Sequence, residues 1–165
     1  VTQMLGIDGD KVREALAQFK GIKRRFEYLV RTEKVVYIDD YAHHPEELAA
    51  LIKSAKRLFP GRRCVVAFQP HLFSRTRDLA EGFAHSLDMA DEVILLDIYP
   101  ARELPMPGIT SATISSLMKN PNVTHMSKEE LVAWVAAHKP AMKITAGAGD
   151  IDKLTEPIKN ILNEN

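Results

Sequence analysis

Two patterns of apolar and polar residues recur along the chain. Short, almost wholly apolar runs lie at residues 35–38, 64–68, 93–96 and 142–146, and stretches with apolar residues at helical spacing follow them. Uniformly apolar runs are typical of parallel strands that are covered on both faces. Strands that alternate with helices indicate βαβ units with right-handed crossovers. The pattern therefore predicts helices on both faces of a largely parallel sheet.

The first predicted strand has a different pattern. Phe26, Tyr28 and Val30 are separated by single residues, as in a half-buried strand, and the short turn 32–34 joins them to the run 35–38. Two strands joined by so short a turn are expected to pair antiparallel. The prediction is an α/β fold with a Rossmann-like doubly wound sheet of about six strands, mostly parallel with an antiparallel first strand.

The predicted helices have recognisable ends. Asp10 is expected to cap a first helix that turns Val12, Leu16 and Phe19 inward and closes at Gly21. Pro45 favours the first position of a second helix. Further helices are expected at about 74–89, at about 111–119, after the Ser127 and Glu130 capping box, and after Asp150.

Composition narrows the possible partners. The 165 residues contain 22 basic and 22 acidic side chains, so no net charge attracts nucleic acid or an anionic membrane, and we expect neither as a partner. The longest apolar run, residues 131–137, is too short to span a bilayer. The single cysteine, Cys64, lies in an apolar run and suits core packing in a reducing compartment. A cytoplasmic protein is expected.

Polar residues follow four of the predicted strands, at 39–44, 69–77, 97–102 and 147–150. The carboxyl ends of parallel strands share one edge of a sheet, and open α/β folds bind ligands at that edge. We therefore expect these four segments to form one site.

The segment Asp39 to Pro45 concentrates two carboxylates, a phenol and two imidazoles. A metal site is one interpretation, although neighbouring residues in a strand-to-helix turn usually point in different directions. The other interpretation is that one imidazole faces a ligand while the other, with Asp39, fixes the turn by hydrogen bonds.

The segment 69–78 places Arg75 and Arg77 in the first turn of a predicted helix. Cations are unfavourable at that end unless an anion is held there, so an anion site is one interpretation and surface pairing with Asp78 or Glu81 is the other. Arg24 and Arg25 fit plain charge alternation on an edge strand. The segment 147–150 is a tight turn without a dinucleotide fingerprint, and the sequence contains no Gly-x-x-x-x-Gly-Lys-Ser/Thr phosphate loop.

Four motifs carry a resemblance to a known family. Residues 39–45 (DDYAHHP), 69–79 (QPHLFSRTRDL), 99–111 (YPARELPMPGITS) and 147–151 (GAGDI) resemble, in that order, the C-terminal domain of the Mur ligases that add L-alanine. The resemblance runs from about residue 20 to the end. It implies that residues 1–20 are the end of a central ATPase domain with its linker, and that residues 21–165 are the C-terminal domain.

The resemblance also implies a reaction. ATP phosphorylates the carboxylate of UDP-N-acetylmuramate, and the amino group of L-alanine attacks the acyl phosphate, in an ADP-forming step of peptidoglycan precursor synthesis. In this family the central domain carries the phosphate loop and the Mg²⁺ ligands, and the C-terminal domain closes over ATP and brings the amino acid. The implied partners are therefore the two substrates and the upstream N-terminal and central domains of the same protein.

Residue roles carry over from the same motifs. Arg25 and Asp40 resemble residues that reach the phosphates and ribose of ATP, and no residue of this chain is expected to bind metal. The residues that resemble those around alanine and the new amide are Tyr41, His43, His71 and Arg75, with His43 and Arg75 as the catalytic candidates. Many family members have arginine at the position of Leu72, so Arg77 is expected to share that substrate-binding work with Arg75.

Two other functions fit the residues themselves. One is a stand-alone module that binds a nucleotide or an amino acid without catalysis. The other is a metal-dependent phosphohydrolase built on Asp39, Asp40, His43 and His44.

Overall fold

The computed structural model describes residues 4–19 and 21–163, and within these residues the chain forms six strands, seven α-helices and one 3-10 helix. The strands are β1 (Glu27–Arg31), β2 (Val36–Asp40), β3 (Cys64–Phe68), β4 (Glu92–Leu95), β5 (Val123–His125) and β6 (Met142–Ala146). The helices are α1 (Gly9–Gln18), α2 (Pro45–Leu58), α3 (Phe73–Asp78), α4 (Ala80–Leu87), α5 (Ala112–Ser115), α6 (Lys128–His138) and α7 (Thr155–Asn163), with the 3-10 helix at Asp150–Leu154. No helix in the described ranges is long and apolar enough to cross a bilayer.

The strands form one sheet in the order β1-β2-β6-β3-β4-β5. β1 pairs antiparallel with β2, and every other neighbouring pair is parallel. β6 lies in the middle, where Ile144 is in register with Ile38 on one side and Val66 on the other. The predicted fold class, with its antiparallel first strand, is confirmed.

The two faces of the sheet carry separate apolar cores. Successive side chains of a strand point to opposite faces. Ile144 belongs to the core that includes residues of α2 and α4, whereas the core on the opposite face includes residues of α6 and α7. Lys143 lies on this second side, under the ring of Trp134. Helices therefore cover both faces, as a doubly wound sheet requires.

Helix α2 begins as predicted and fixes the end of the preceding turn. Pro45 occupies the first helical position, and His44 is the N-cap. The Glu47 carboxylate accepts hydrogen bonds from the backbone N–H groups of His43 and His44, at 3.0 and 3.2 Å. These contacts orient the turn between β2 and α2, where the predicted site residues Tyr41 and His43 lie.

Helix α1 differs from the prediction in two ways. Its N-cap is Asp8, whose carboxylate accepts hydrogen bonds from the backbone of Asp10 and Lys11, so the prediction that Asp10 caps it was wrong. No residue of α1 is buried, and Leu16 and Phe19 are 67% and 62% exposed. Within the described residues, nothing covers the apolar face that was expected to point inward. Residues 1–3 and 20 lie outside the described ranges.

The helix expected at 74–89 is two helices. Leu79 has φ −118° and ψ 15°, which ends α3 and starts α4. Helix α4 packs closely on α2, since the Ser86 hydroxyl donates to the Pro45 carbonyl at 2.8 Å and a Cβ at Gly82 would lie 2.9 Å from Pro45 Cγ. The helix expected at 111–119 is likewise limited to α5.

Candidate functional site

The four polar segments meet at the carboxyl edge of the sheet, as predicted. His71 and Tyr99 form an isolated parallel bridge, which joins the segment after β3 to the segment after β4. The Gln69 side-chain amide donates to Asp150 Oδ1 at 3.0 Å, and the Gly147 N–H donates to the Asp40 carbonyl at 3.2 Å. Each segment is thus tied to at least one of the others.

Four rings run in a row across this edge. The Tyr41 and His43 centroids are 5.3 Å apart, those of His43 and His71 are 6.4 Å apart, and His71 stacks on Tyr99 at 5.7 Å with an angle of 20°. Residues predicted from two separate motifs, Tyr41 and His43 from one and His71 from the other, are therefore neighbours.

His71 is held in one tautomer by Arg75. Arg75 Nη1 lies 3.4 Å from His71 Nδ1, and because a guanidinium only donates, Nδ1 must accept and the proton resides on Nε2. Burial lowers the pKa of His71, and the nearby Arg75 and His43 lower it further. His71 is therefore a neutral imidazole at neutral pH.

His43 makes a different set of contacts. Its Nδ1 lies 3.0 Å from the Tyr41 carbonyl oxygen, an atom that only accepts, so Nδ1 carries a proton. The Glu47 carboxylate lies 3.5 Å from the same nitrogen. In the neutral ring Nε2 therefore keeps its lone pair, which suits a group that takes up a proton.

A cleft of about 400 Å³ lies beside this row of rings. Its lining contains four of the predicted residues, Arg25, Asp40, Tyr41 and His43, and also Phe26, Ala42, Glu47, Ala50, Leu51 and Ser54. The structure thus brings the residues predicted to contact ATP and part of those predicted to contact alanine to one cavity.

Both Asp40 oxygens already accept backbone hydrogen bonds. Oδ2 accepts from the Phe26 N–H at 2.6 Å, and Oδ1 accepts from the Ala42 N–H at 2.7 Å. Burial raises the pKa of Asp40, and these backbone donors counter the effect only partly. Asp40 therefore joins the segment before β1 to the turn after β2, a role that the sequence did not indicate.

The anion at the start of α3 belongs to the chain itself. Glu103 accepts hydrogen bonds from the Ser74 N–H, at 3.0 Å, and from the Ser74 hydroxyl. These hydrogen bonds lower the pKa of Glu103. A carboxylate from the 100–108 loop therefore lies at the start of this helix.

Arg75 and Arg77 have different surroundings. Arg75 is half-buried and contacts His71, whereas Arg77 Nε donates to Asp78 at 2.7 Å and its Nη1 lies 3.8 Å from Met106 Sδ. The surface-pairing interpretation therefore describes Arg77. Leu72, which precedes α3, has a φ of 70°, in the left-handed region.

The turn after β6 is shaped by close packing. A Cβ at Gly149 would lie 2.4 Å from Gln69 Oε1 and 2.6 Å from Tyr99 Cβ. The Gln69 amide oxygen also accepts from the Ile151 N–H at 2.9 Å. The interpretation of this segment as a tight turn is confirmed, and its glycine allows Tyr99 to approach.

The carboxylates at the end of β2 and the imidazoles after it do not gather as metal ligands. Asp39 is bound by Arg24 and Thr145, Asp40 by backbone N–H groups, and His44 Nδ1 accepts from Glu46 N at 3.4 Å. Across residues 4–19 and 21–163, no group of three or more His, Cys, Asp or Glu side chains is arranged to hold a metal ion.

Sequence reasoning missed Arg24. Its guanidinium donates to Asp39 Oδ2 at 2.9 Å and to the Gly147 carbonyl at 2.6 Å. The partners lie 15 and 123 residues away in the chain, so charge alternation on a strand was the only local signal.

Comparisons with known proteins show the family of the chain. Residues 24–151 match the model of the Mur ligase, glutamate ligase domain family. The chain is 52% identical over 160 residues to a UDP-N-acetylmuramate–L-alanine ligase of Flavobacterium johnsoniae, covering 97% of this chain and 36% of that protein. It is 49% identical over 163 residues to the same-named protein of Porphyromonas gingivalis, covering 98% and 36%.

A solved structure extends the comparison. The UDP-N-acetylmuramate–alanine ligase of Thermotoga maritima matches 99% of this chain and 35% of its own length, with 28% identity and a TM-score of 0.80. The chain spans about a third of the length of the relatives it matches. Since the family model covers most of the residues, including all four motifs, the chain belongs to the Mur ligase, glutamate ligase domain family.

Proposed function

We propose that this chain is the C-terminal lobe of an ATP-dependent ligase that joins L-alanine to UDP-N-acetylmuramate through an acyl phosphate. The observation that carries the proposal is the identity of about half of all residues, along nearly the whole chain, to proteins named for that reaction. Residues 1–20 are then the end of the central ATPase domain with its linker, and residues 21–165 are the lobe. The exposed apolar face of α1 supports this division.

The cleft beside Asp40 fits one edge of a nucleotide. Arg25 offers a cation for phosphate oxygens, and Asp40 offers carboxylate lone pairs for ribose hydroxyls. ATP supplies the phosphoryl group that activates the muramyl carboxylate. Magnesium ligands are assigned to the central domain, as the family resemblance implies.

The row of rings fits the amino acid. Arg75 binds the alanine carboxylate, while Tyr41 and the Nε2–H group of neutral His71 border the substrate. His43 Nε2 takes a proton from the alanine ammonium, which frees the amine to attack. Holding the amine against the activated carbonyl is the positioning work that such a reaction requires. Arg77, which is paired with Asp78, contributes weakly.

The proposal is tested in the full-length protein that contains this lobe. Arg75→Ala should raise the alanine KM by about 10- to 150-fold, since hydrogen bonds to a charged group contribute roughly 1.5–3 kcal/mol, and should leave the ATP KM nearly unchanged. Arg77→Ala should raise the alanine KM much less. Arg57→Ala, an exposed arginine on α2, is the control.

Two results would contradict the proposal. An unchanged alanine KM in Arg75→Ala would remove Arg75 from the amino-acid site. Binding of ATP and alanine by the wild-type protein without formation of UDP-N-acetylmuramoyl-L-alanine would instead indicate a binding module without catalysis.

A further inference from the structure

The Arg24 side chain joins three segments of the site edge. Its Nε donates to Asp39 Oδ2 at 2.9 Å, its Nη2 donates to the Gly147 carbonyl at 2.6 Å, and its Nη1 lies 3.8 Å from Asp152 Oδ2. Only 13% of the side chain is exposed. The guanidinium is thus fixed at the ends of β2 and β6 and at the 3-10 helix.

The same guanidinium lies against Tyr41. Arg24 Cζ is 5.1 Å from the centroid of the Tyr41 ring, within the range of a cation–π contact. The Arg24 carbonyl also accepts a hydrogen bond from the Tyr41 N–H at 2.8 Å. Tyr41 is 43% exposed, so the core does not hold its ring. The ring instead lies between Arg24 and His43.

A buried network makes Arg24 rigid. Asp39 is 1% exposed, and its Oδ1 accepts from the Thr145 hydroxyl at 2.6 Å. The Thr145 hydroxyl has only one proton, which it donates to Asp39, so it must accept the hydrogen bond from the Tyr37 hydroxyl at 3.1 Å. A chain of hydrogen bonds therefore connects the sheet interior to the guanidinium that contacts Tyr41.

The backbone at Arg24 is also unusual. Its φ of 57° lies in the left-handed region, at a cost of about 1 kcal/mol for a residue other than glycine. Such a conformation persists where the surroundings determine it strongly. The hydrogen bonds of the guanidinium and of the Arg24 carbonyl hold the residue in this conformation.

We propose that Arg24 is a positioning residue that holds the Tyr41 ring at the alanine end of the site through contact between the guanidinium and the ring. This inference rests on the proposed function, which assigns Tyr41 to amino-acid binding. Arg24 itself acts through Tyr41 and contacts no substrate.

The conservative variant Arg24→Lys gives the sharpest test, because lysine keeps a cation beside buried Asp39 but lacks the planar guanidinium. In the full-length protein, Arg24→Lys should raise the alanine KM by roughly 3- to 30-fold, the range of a partly buried cation–π contact, with the ATP KM changed by less than about twofold. In a Tyr41→Ala background, Arg24→Lys should have no further effect on the alanine KM, since the contact is already lost.

Arg31→Lys is a matched control. Arg31 is the last residue of β1, and its Cζ lies 4.7 Å from the ring centroid of Tyr28. Neither residue lines the cleft, so the substitution disturbs the same kind of contact without touching a predicted site residue. Its alanine KM should equal that of the wild type. An unchanged KM in Arg24→Lys, or effects of Arg24→Lys and Tyr41→Ala that multiply, would overturn the proposal.

A second measurement separates this inference from the proposed function. If the wild-type protein forms no ligation product, the proposed function fails. The contact between the Arg24 guanidinium and the Tyr41 ring can still be tested, by NMR of the ring protons in the 165-residue chain. Arg24→Lys should shift the Tyr41 signals, and Arg31→Lys should shift those of Tyr28 alone. Unshifted Tyr41 signals in Arg24→Lys would overturn the inference.

Discussion

Lys143 is an ionisable side chain buried in the sheet. It is fully buried in β6, its Nζ lies 5.2 Å from the centre of the Trp134 ring, and no hydrogen-bond partner of this Nζ is present among the described residues. Burial lowers the pKa of Lys143 from 10.5 to about 7. Above pH 7 the folded protein therefore favours the neutral amine, whereas the unfolded chain keeps the proton up to about pH 10.5.

This difference predicts that stability rises with pH above 7. Between pH 7 and 9 the unfolded state binds more protons than the folded state, so the free energy of unfolding should increase by about 2 kcal/mol. Above pH 9 the buried Cys64 thiol, whose pKa burial raises to about 12, acts in the opposite direction. Urea unfolding at pH 7, 8 and 9 measures the slope.

Lys143→Met should remove that slope and stabilise the protein at pH 7, because methionine fills similar space without a charge to desolvate. Lys53→Met, at an exposed position of α2, is the control and should keep the slope. A slope that persists in Lys143→Met would assign the pH dependence to another group.

At the scale of single residues, the sequence predicts those that follow a local pattern but not those whose partners are distant in the chain. The shared edge of the segments that contain Tyr41, His43 and His71 was predicted, because each segment follows a strand and the ends of parallel strands meet at one edge. Arg24 and Glu103 were missed, since their partners are set by tertiary contacts with no local pattern. Lys143 was hidden inside an apolar run, where its burial depends on the helices above it.

At the scale of elements, strands and helix starts were the easiest features to predict. The Pro45 start of α2 and the capping box of α6 are confirmed, because both depend on residues within one turn. The break at Leu79 was not predicted, because Leu79, Phe83 and Leu87 continue the apolar positions at helical spacing across it. Local chemistry therefore predicted where elements begin better than where they bend.

The turn after β6 provides a prediction at this scale. Gly149→Ala should lower the free energy of unfolding by about 1–3 kcal/mol, because the added Cβ collides with Gln69 and with Tyr99. It should also weaken alanine binding by displacing Tyr99 from His71. Urea unfolding and the alanine KM are the measurements.

Gly9→Ala provides the comparison for that substitution. Gly9 lies in α1, and the atom nearest to a Cβ at this position would be Arg13 Nη2, at 4.0 Å. Gly9→Ala should therefore be neutral or slightly stabilising, because alanine favours a helix more than glycine does. Equal stability of the two variants would show that the turn after β6 yields to the added methyl group.

At the scale of the whole molecule, the sheet class was predicted from the alternation of strands and helices, but its strand order was not. The chain also lacks a phosphate loop of the Gly-x-x-x-x-Gly-Lys-Ser/Thr type. Under the proposed function the central domain holds the catalytic phosphates, and this lobe positions the amino acid.

That division predicts that the 165-residue chain alone forms no ADP from ATP in the presence of UDP-N-acetylmuramate and L-alanine. The same chain joined to its upstream domains should form ADP and the alanyl product in equal amounts. An assay of ADP release coupled to product chromatography measures both. Turnover by the chain alone would contradict the assignment of the phosphates to another domain.

The central place of β6 in the sheet has a consequence for how the chain folds. β6 pairs with both β2 and β3, although it lies more than 70 residues after β3. Until residues 142–146 have left the ribosome, β2 and β3 have no strand between them, and both present unpaired edges. Such non-local pairing slows folding. The sheet can therefore close only after β6 has been synthesised, and a nascent chain that stops before Met142 should aggregate more readily than one that includes Ala146.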